Sequence, residues 1–337
     1  MKYDAILVVS FGGPEQPADV MPFLENVLRG KNVPRERMLE VAGHYNKWGG
    51  KSPINDQNRR LISALEAELA EHGPRLPVYW GNRNWHPLLP DTLRQMKADG
   101  VQRALAFVTS AYSSYSSCRQ YQEDIARARE ALGAGAPVVD KIRAFYNHPG
   151  FIEAGVDRIR RAFEQIPPQR RPATQLIFTA HSIPLAMAAD SPYQEQLREG
   201  ARLAAEQVGH NPYRLVYQSR SGPPAQAWLE PDILDGLREV KRDGGSDVVI
   251  APIGFVSDHM EVIFDLDIQA RQLCEELGLN MVRAATVGTH PRFIRMIREL
   301  ICERLDESAP RLALGNLGAR PDVCAADCCP MPRRPGL

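Results

Sequence analysis

Residues 175–184 read QLIFTAHSIP: a short apolar run, a histidine, and a turn set by Pro184. A run of this length, rich in β-branched and aromatic residues and closed by a turn, reads as a buried strand. The same shape recurs along the chain. AILVVS (5–10), PVYWGN (77–82), ALAFVTS (104–110) and APVVD (136–140) come before it. RLVYQS (214–219), DVVIAP (247–252) and NMVRAAT (280–286) come after it. Amphipathic stretches such as NRRLISALEAELAEHG, YQEDIARAREALG and PDILDGLREVKRDGG separate them. Strands alternating with helices of that length predict βαβ units and parallel sheets. Four strands fall before residue 145 and four after 174, which predicts two similar α/β halves.

The expected division is an N-terminal lobe over 1–150, a C-terminal lobe over 151–306, and a cysteine-bearing tail over 307–337. HPRFIRMIRELICERL (290–305) closes the second lobe as a last helix. QIPPQRRPAT (165–174), dense in Pro and Arg, is the expected hinge between the halves.

Composition removes several classes. Lys plus Arg and Asp plus Glu are both 41 in 337 residues, so the basic excess of a general nucleic-acid binder is missing. No apolar run reaches the roughly 18–20 residues that cross a bilayer. MKYDAILVVSFGGPE carries no signal-peptide cleavage pattern, so the cytoplasm is the expected compartment. Six cysteines in a chain of this length are no disulfide framework, and a reducing compartment leaves metal binding, redox chemistry or burial.

Open α/β sheets bind ligands outside the carboxyl ends of their strands. The segments there are FGGP, GNRNWHP, AYSSYSSCRQY, HSIP, QSRSGPP and GFVSDHMEV, rich in Gly, Ser, Tyr, Arg and His. SFGGPE has neither the G-x-G-x-x-G spacing nor the Lys-Ser/Thr of a P-loop, so its glycines serve close approach of a ligand to the backbone. His181 and Glu261 each stand at a strand's carboxyl end in the second half. Glu261, Asp265 and Gln269, spaced i, i+4, i+8, form one polar ridge on a helix. Alone, the histidine reads as a turn residue and the ridge as a solvated face. Together in one crevice, imidazole and carboxylate suit a divalent metal such as iron(II) and proton removal near neutral pH.

VSFGGPE, HYNKWGGKSPIN, YWGNRNWHP, TSAYSSYSSCRQY, FTAHSIP, YQSRSGPPAQAWLEPDI and GFVSDHMEVIFDLD occur in this order over nearly the whole chain. The set resembles the ferrochelatases, which insert ferrous iron into a porphyrin, and most of all the actinobacterial-type coproporphyrin III ferrochelatases. The resemblance implies two Rossmann-like, chelatase-type lobes, parallel sheets flanked by helices, with an active-site cleft between them. It implies ferrous iron and coproporphyrin III as substrates, iron coproporphyrin III as product, and other haem-pathway enzymes as candidate partners. His181 is then the proton acceptor and metal contact. Glu261 holds iron or carries protons outward, and Asp265 continues the ridge. Ser52 and Tyr121 match family positions that bind the porphyrin, where their hydroxyls reach propionates. Arg29 offers a bidentate propionate partner, although a cation closing a helix is an equal reading. Tyr112, Tyr115, Trp48 and Trp85 are candidates for an apolar slot, against a plain core role. Two positions depart from the family. Phe11 stands where many bacterial members have a tyrosine able to approach iron, and Gln269 stands where some relatives keep a carboxylate.

Some ferrochelatases carry a [2Fe–2S] cluster on C-terminal cysteines plus one distant cysteine. CAADCCPMPRRPGL supplies Cys324, Cys328 and Cys329, and four thiolates are needed. Cys118 is the expected fourth by its matching segment, with Cys302 as competitor and Cys274 as a buried helix residue. A structural zinc on the same sulfurs is the nearest alternative, and a free redox-sensitive tail the plain one. For the whole chain the competing functions are a protoporphyrin IX ferrochelatase and a non-catalytic haem or porphyrin carrier. A sirohydrochlorin or cobalamin-pathway chelatase rests on fold analogy alone.

Overall fold

The structure is a computed structural model that describes residues 2–30, 33–223 and 225–331. Each apolar run forms a strand. In the first sheet these are β1 (Ala5–Ser10), β2 (Val78–Asn82), β3 (Arg103–Val108) and β4 (Val138–Lys141). The second holds β5 (Gln175–His181), β6 (Tyr213–Gln218), β7 (Asp247–Ala251) and β8 (Asn280–Arg283). All pairings are parallel, and the two sheets share one strand order, β2-β1-β3-β4 and β6-β5-β7-β8. β1 and β7 are buried along their whole length, which is why their sequences read as unbroken apolar runs.

Helices cover both faces. Before the second sheet come α1 (Val20–Val27), α2 (Arg35–Asn46), α3 (Ile54–His72), α4 (Leu89–Ala98), α5 (Gln120–Leu132) and α6 (Pro149–Glu164). Then follow α7 (Leu185–Ala189), α8 (Tyr193–Val208), α9 (Ile233–Arg242), α10 (Met260–Val262), α11 (Arg271–Leu277) and α12 (Pro291–Leu305). α6 and α12 start alike. His148 and His290 cap them by accepting the N–H groups of Gly150 and Arg292, and a proline fills the first helical position of each.

These two helices cross over. α6 follows the first sheet yet packs on α8, β7 and β8, while α12 follows the second sheet and packs on α3 and α6. Phe107, Phe145, Phe151, Phe178 and Phe293 consequently share one hydrophobic core that spans both sheets. The stretch 165–174 is therefore not a hinge between halves. It follows α6 within the second lobe, where Arg170 pairs with Asp247 at the start of β7.

Past Asp306 the chain is irregular but anchored. Arg143 grips Glu303 of α12 through two hydrogen bonds of 2.8 Å and donates a third to the Leu312 carbonyl. Asn147 donates to the Leu314 and Gly318 carbonyls, and Arg119 to that of Ala326.

Candidate active site

β5 ends on His181, whose Nδ1 lies 2.5 Å from the Ser182 carbonyl. A ring that donates from Nδ1 keeps the Nε2 lone pair for a proton or a metal. Nε2 stands 3.5 Å from Glu261 Oε2, and His259 Nδ1 is 3.8 Å from the same oxygen. His259 caps α10 by accepting the Glu261 N–H at 3.2 Å, which ties its ring to the carboxylate's own backbone. Two imidazoles and one carboxylate thus converge where β5 and β7 end. His259 was absent from the sequence-based expectation.

Burial opposes a charged His181, but the Glu261 carboxylate, the Ser182 carbonyl and Asp265 outweigh it and hold its pKa above the usual value. Burial pulls His259 the other way, aided by His181 and opposed by Glu261 and Asp258. Neighbouring imidazoles pushed apart in this way suit separate tasks in proton transfer and metal binding. Burial also pushes the Asp265 carboxyl up to about 6, despite hydrogen bonds from Ser219 and Gln218.

Asp265 lies in a π-helix, Ile263–Ala270, where an α-helix was expected. The wider i→i+5 turn is a local feature common at functional sites. A second π-helix, Tyr115–Arg119, follows β3, the strand that corresponds in order to β7. Asp267, off the ridge, pairs with Arg283, which also holds Asp258. Gln269 is exposed at the end of the π-helix.

The facing wall comes from the first lobe. Burial and the Glu261 charge raise the pKa of Tyr45, near the end of α2. Its ring packs edge-on against Phe23 at 5.9 Å, and Phe23 against Phe11 at 6.2 Å and Trp85 at 6.3 Å. His44 stacks on Phe264 of the π-helix at 4.0 Å, joining the walls. Arg83, just past β2, lies 5.8 Å from the Phe11 ring and 4.6 Å from that of Tyr121, and pairs with Asp124. Sequence reasoning missed Arg83 as well. Tyr121 is buried, with this guanidinium over its ring and interacting with its hydroxyl.

The remaining expected residues scatter. Ser52 is buried behind the glycine turn, its Cβ within 2.7 Å of where Gly13 would carry one. That close approach is what the glycine permits. Arg29 is exposed beyond α1 and donates to Asn26 Oδ1 at 2.6 Å. Tyr112 is core, packed among Tyr146, Phe151 and Tyr193, and the buried Tyr115 bonds Glu123. Trp48 is 48% exposed.

A sequence model of the ferrochelatase family matches residues 3–305. The chain belongs to the ferrochelatase family. It is accordingly a metal chelatase, an enzyme that inserts iron into a porphyrin. This ferrochelatase is 58% identical to a ferrochelatase of Rhodopirellula baltica, over 99% of the chain and 95% of that relative. It is 52% identical to the coproporphyrin III ferrochelatase of Nocardia farcinica over 99% of both chains. With the coproporphyrin III ferrochelatase of Streptomyces coelicolor it shares 51% identity, over 97% of the chain and 93% of the relative. Among solved structures, the sirohydrochlorin chelatase SirB of Bacillus subtilis subspecies spizizenii aligns over 91% of this chain and 96% of its own, with a TM-score of 0.53 at 12% identity. CbiX aligns over 90% and 100% with a TM-score of 0.50 at 16% identity. At such identities the likeness establishes the shared two-lobed fold.

The family match ends before the ferrochelatase's tail, so the cysteines are judged on their own geometry. Cys118 is buried in the π-helix Tyr115–Arg119. Cys328 and Cys329 Sγ are 3.5 Å apart, near the about 3.8 Å edge of a tetrahedral metal site with 2.3 Å bonds to sulfur. Burial raises the Cys329 thiol pKa, and Cys328, Cys118 and Cys324 add to the rise. Burial and Cys328 raise that of Cys324. The Cys328 and Cys329 sulfurs are in contact, and no group of three or more His, Cys, Asp or Glu among the described residues is in position to hold a metal ion. Cys302, on α12, takes its charge neighbours from Arg298, Glu299 and Asp306 instead.

Proposed function

We propose that this ferrochelatase inserts ferrous iron into coproporphyrin III, giving iron coproporphyrin III on the coproporphyrin-dependent route to haem. Its full-length similarity to coproporphyrin III ferrochelatases carries this reading. Insertion removes two pyrrole protons as a desolvated metal enters the ring. His181 offers its Nε2 lone pair to iron or to a pyrrole proton, one at a time, Glu261 holds iron beside it, and Asp265 takes protons away. His259, on the same carboxylate, joins them. Phe11 and Arg83 form the opposing face for the ring, with Tyr121 buried beneath Arg83, while Ser52, buried behind the glycine turn, and Arg29, beyond α1, stand further off as candidate propionate partners. Phe11 offers no iron ligand, so that face contributes packing only.

Cys118, Cys324, Cys328 and Cys329 are the ligands of a [2Fe–2S] cluster in this reading. Bound there, the cluster would cross-link the tail to the first lobe, since iron insertion itself needs no redox change. The cytoplasm is the proposed location.

Side-by-side turnover of coproporphyrin III and protoporphyrin IX with ferrous iron tests the substrate. Coproporphyrin III should be preferred, and a clear preference for protoporphyrin IX would replace the proposal with the alternative. His181→Ala and Glu261→Gln should abolish insertion while leaving porphyrin binding intact, which separates an enzyme from a carrier. Iron and acid-labile sulfide, measured on the same preparation, should come to about two of each per chain. Failure to gain either after anaerobic reconstitution would remove the cluster.

A further inference from the structure

Ser219 follows β6 directly and holds φ at +64°, a left-handed conformation that Cys329 alone shares among the described non-glycine residues. Such backbone is costly for a residue with a Cβ and persists where the surroundings require it. The requirement is visible in the contacts. Successive residues of a strand point to opposite faces. Yet Gln218 Nε2 and Ser219 Oγ both donate to the same oxygen, Asp265 Oδ2, the amide at 3.2 Å and the hydroxyl at a shorter distance. Two consecutive side chains meet at one atom only if the chain turns between them. The left-handed serine makes that turn.

The surroundings are specific to this task. Gln218 is fully buried, and its Oε1 has no hydrogen-bond partner among the described residues. Its Nε2 bond to Asp265 turns the donor end of the amide towards that carboxylate. Asp265 sits one turn beyond Glu261 and feels its charge and that of His181. An unrestrained carboxylate on a π-helix could swing among rotamers, and two donors on one oxygen remove that freedom.

We propose that Ser219, assisted by Gln218, is a positioning residue that fixes Asp265 behind Glu261, and that the left-handed backbone at Ser219 serves to aim both donors at one carboxylate oxygen. The inference rests on the reading of His181, Glu261 and Asp265 as the iron-inserting site. Ser219 acts through Asp265 and need not touch iron or porphyrin.

The test is a double-mutant cycle in the full-length enzyme, with ferrous iron and coproporphyrin III. Ser219→Gly removes the hydroxyl while allowing the same backbone, and Ser219→Ala removes it while keeping the unfavourable conformation. Both should lower kcat/KM for ferrous iron by about tenfold or more, as loss of an outer partner of a metal site commonly does. Coproporphyrin affinity, read by fluorescence quenching, should stay within about twofold and report that the variants fold. Asp265→Asn should give a comparable loss, and adding Ser219→Gly to it should cost nothing further. Wild-type kinetics in Ser219→Gly would overturn the inference, and so would losses that multiply in the double variant. A wild-type enzyme that inserts no iron would overturn the site reading itself, and the wild-type control identifies that case.

Discussion

His148 shows how one side chain can set acid stability. It is fully buried at the start of α6, and burial, together with the cations of Arg143 and Arg292, pulls its pKa down to about 3. The unfolded chain binds this proton near pH 6.5, so the stability is complete above that value and is lost as the pH falls towards 3. The expected slope is about 1.4 kcal/mol per pH unit across that window. His148→Asn retains a cap for the Gly150 N–H without a titrating ring, and denaturant melts from pH 7 to 4 should show one proton less of acid sensitivity. An unchanged slope would mean the proton loss lies elsewhere. At this scale the sequence pointed to His181 at the end of β5 and Glu261 in the segment after β7, and the structure brings the two side chains within 3.5 Å of each other. It hid His259, whose role comes from capping the turn that carries Glu261, a contact without periodicity. Arg83 was hidden for another reason. Its value lies in Phe11 and Tyr121, which only tertiary packing brings to it.

The elements were legible wherever burial dictates pattern. The central strands β1 and β7 appear because parallel strands covered on both faces are apolar throughout, and the part-exposed edge strands appear from their shorter β-branched and aromatic runs. The π-helices were not legible, since one widened turn leaves the amphipathic pattern nearly unchanged. Glu261, Asp265 and Gln269 still share a ridge in the sequence, but the bonding beneath them differs from the α-helix expected. Elsewhere an ordinary helix leaves room for improvement. Gly155 lies inside α6, and a Cβ there would meet no atom within 4 Å. Gly155→Ala should stabilise the protein by about 0.5–1 kcal/mol, since glycine loses more backbone freedom on folding than alanine. A raised denaturant midpoint with an unchanged m-value would show it, and a lowered midpoint would mean the space by α6 is needed.

Across the whole molecule, the Arg143–Glu303 pair ties the exit of β4 to α12 and the tail. Both side chains are almost wholly sealed from solvent, at 0% and 2% exposure. Arg143→Met should cost about 3–5 kcal/mol by leaving the Glu303 charge buried without a partner. Restoring neutrality with Glu303→Leu should recover much of that loss in a thermal melt. A mild effect of Arg143→Met alone would show that water reaches Glu303. The sequence indicated two similar halves but not how they interlock, because α6 and α12 exchange sheets through contacts that no local pattern records. That exchange also sets an order of events during synthesis. α3 ends at His72, but Arg298 of α12 donates to the carbonyls of His72 and Gly73. The ribosome must add more than two hundred residues in between, on the order of ten to fifty seconds at translation rates of about 5–20 residues per second. For that time the nascent first lobe has no natural cover over α3. It cannot finish folding until α12 has been made.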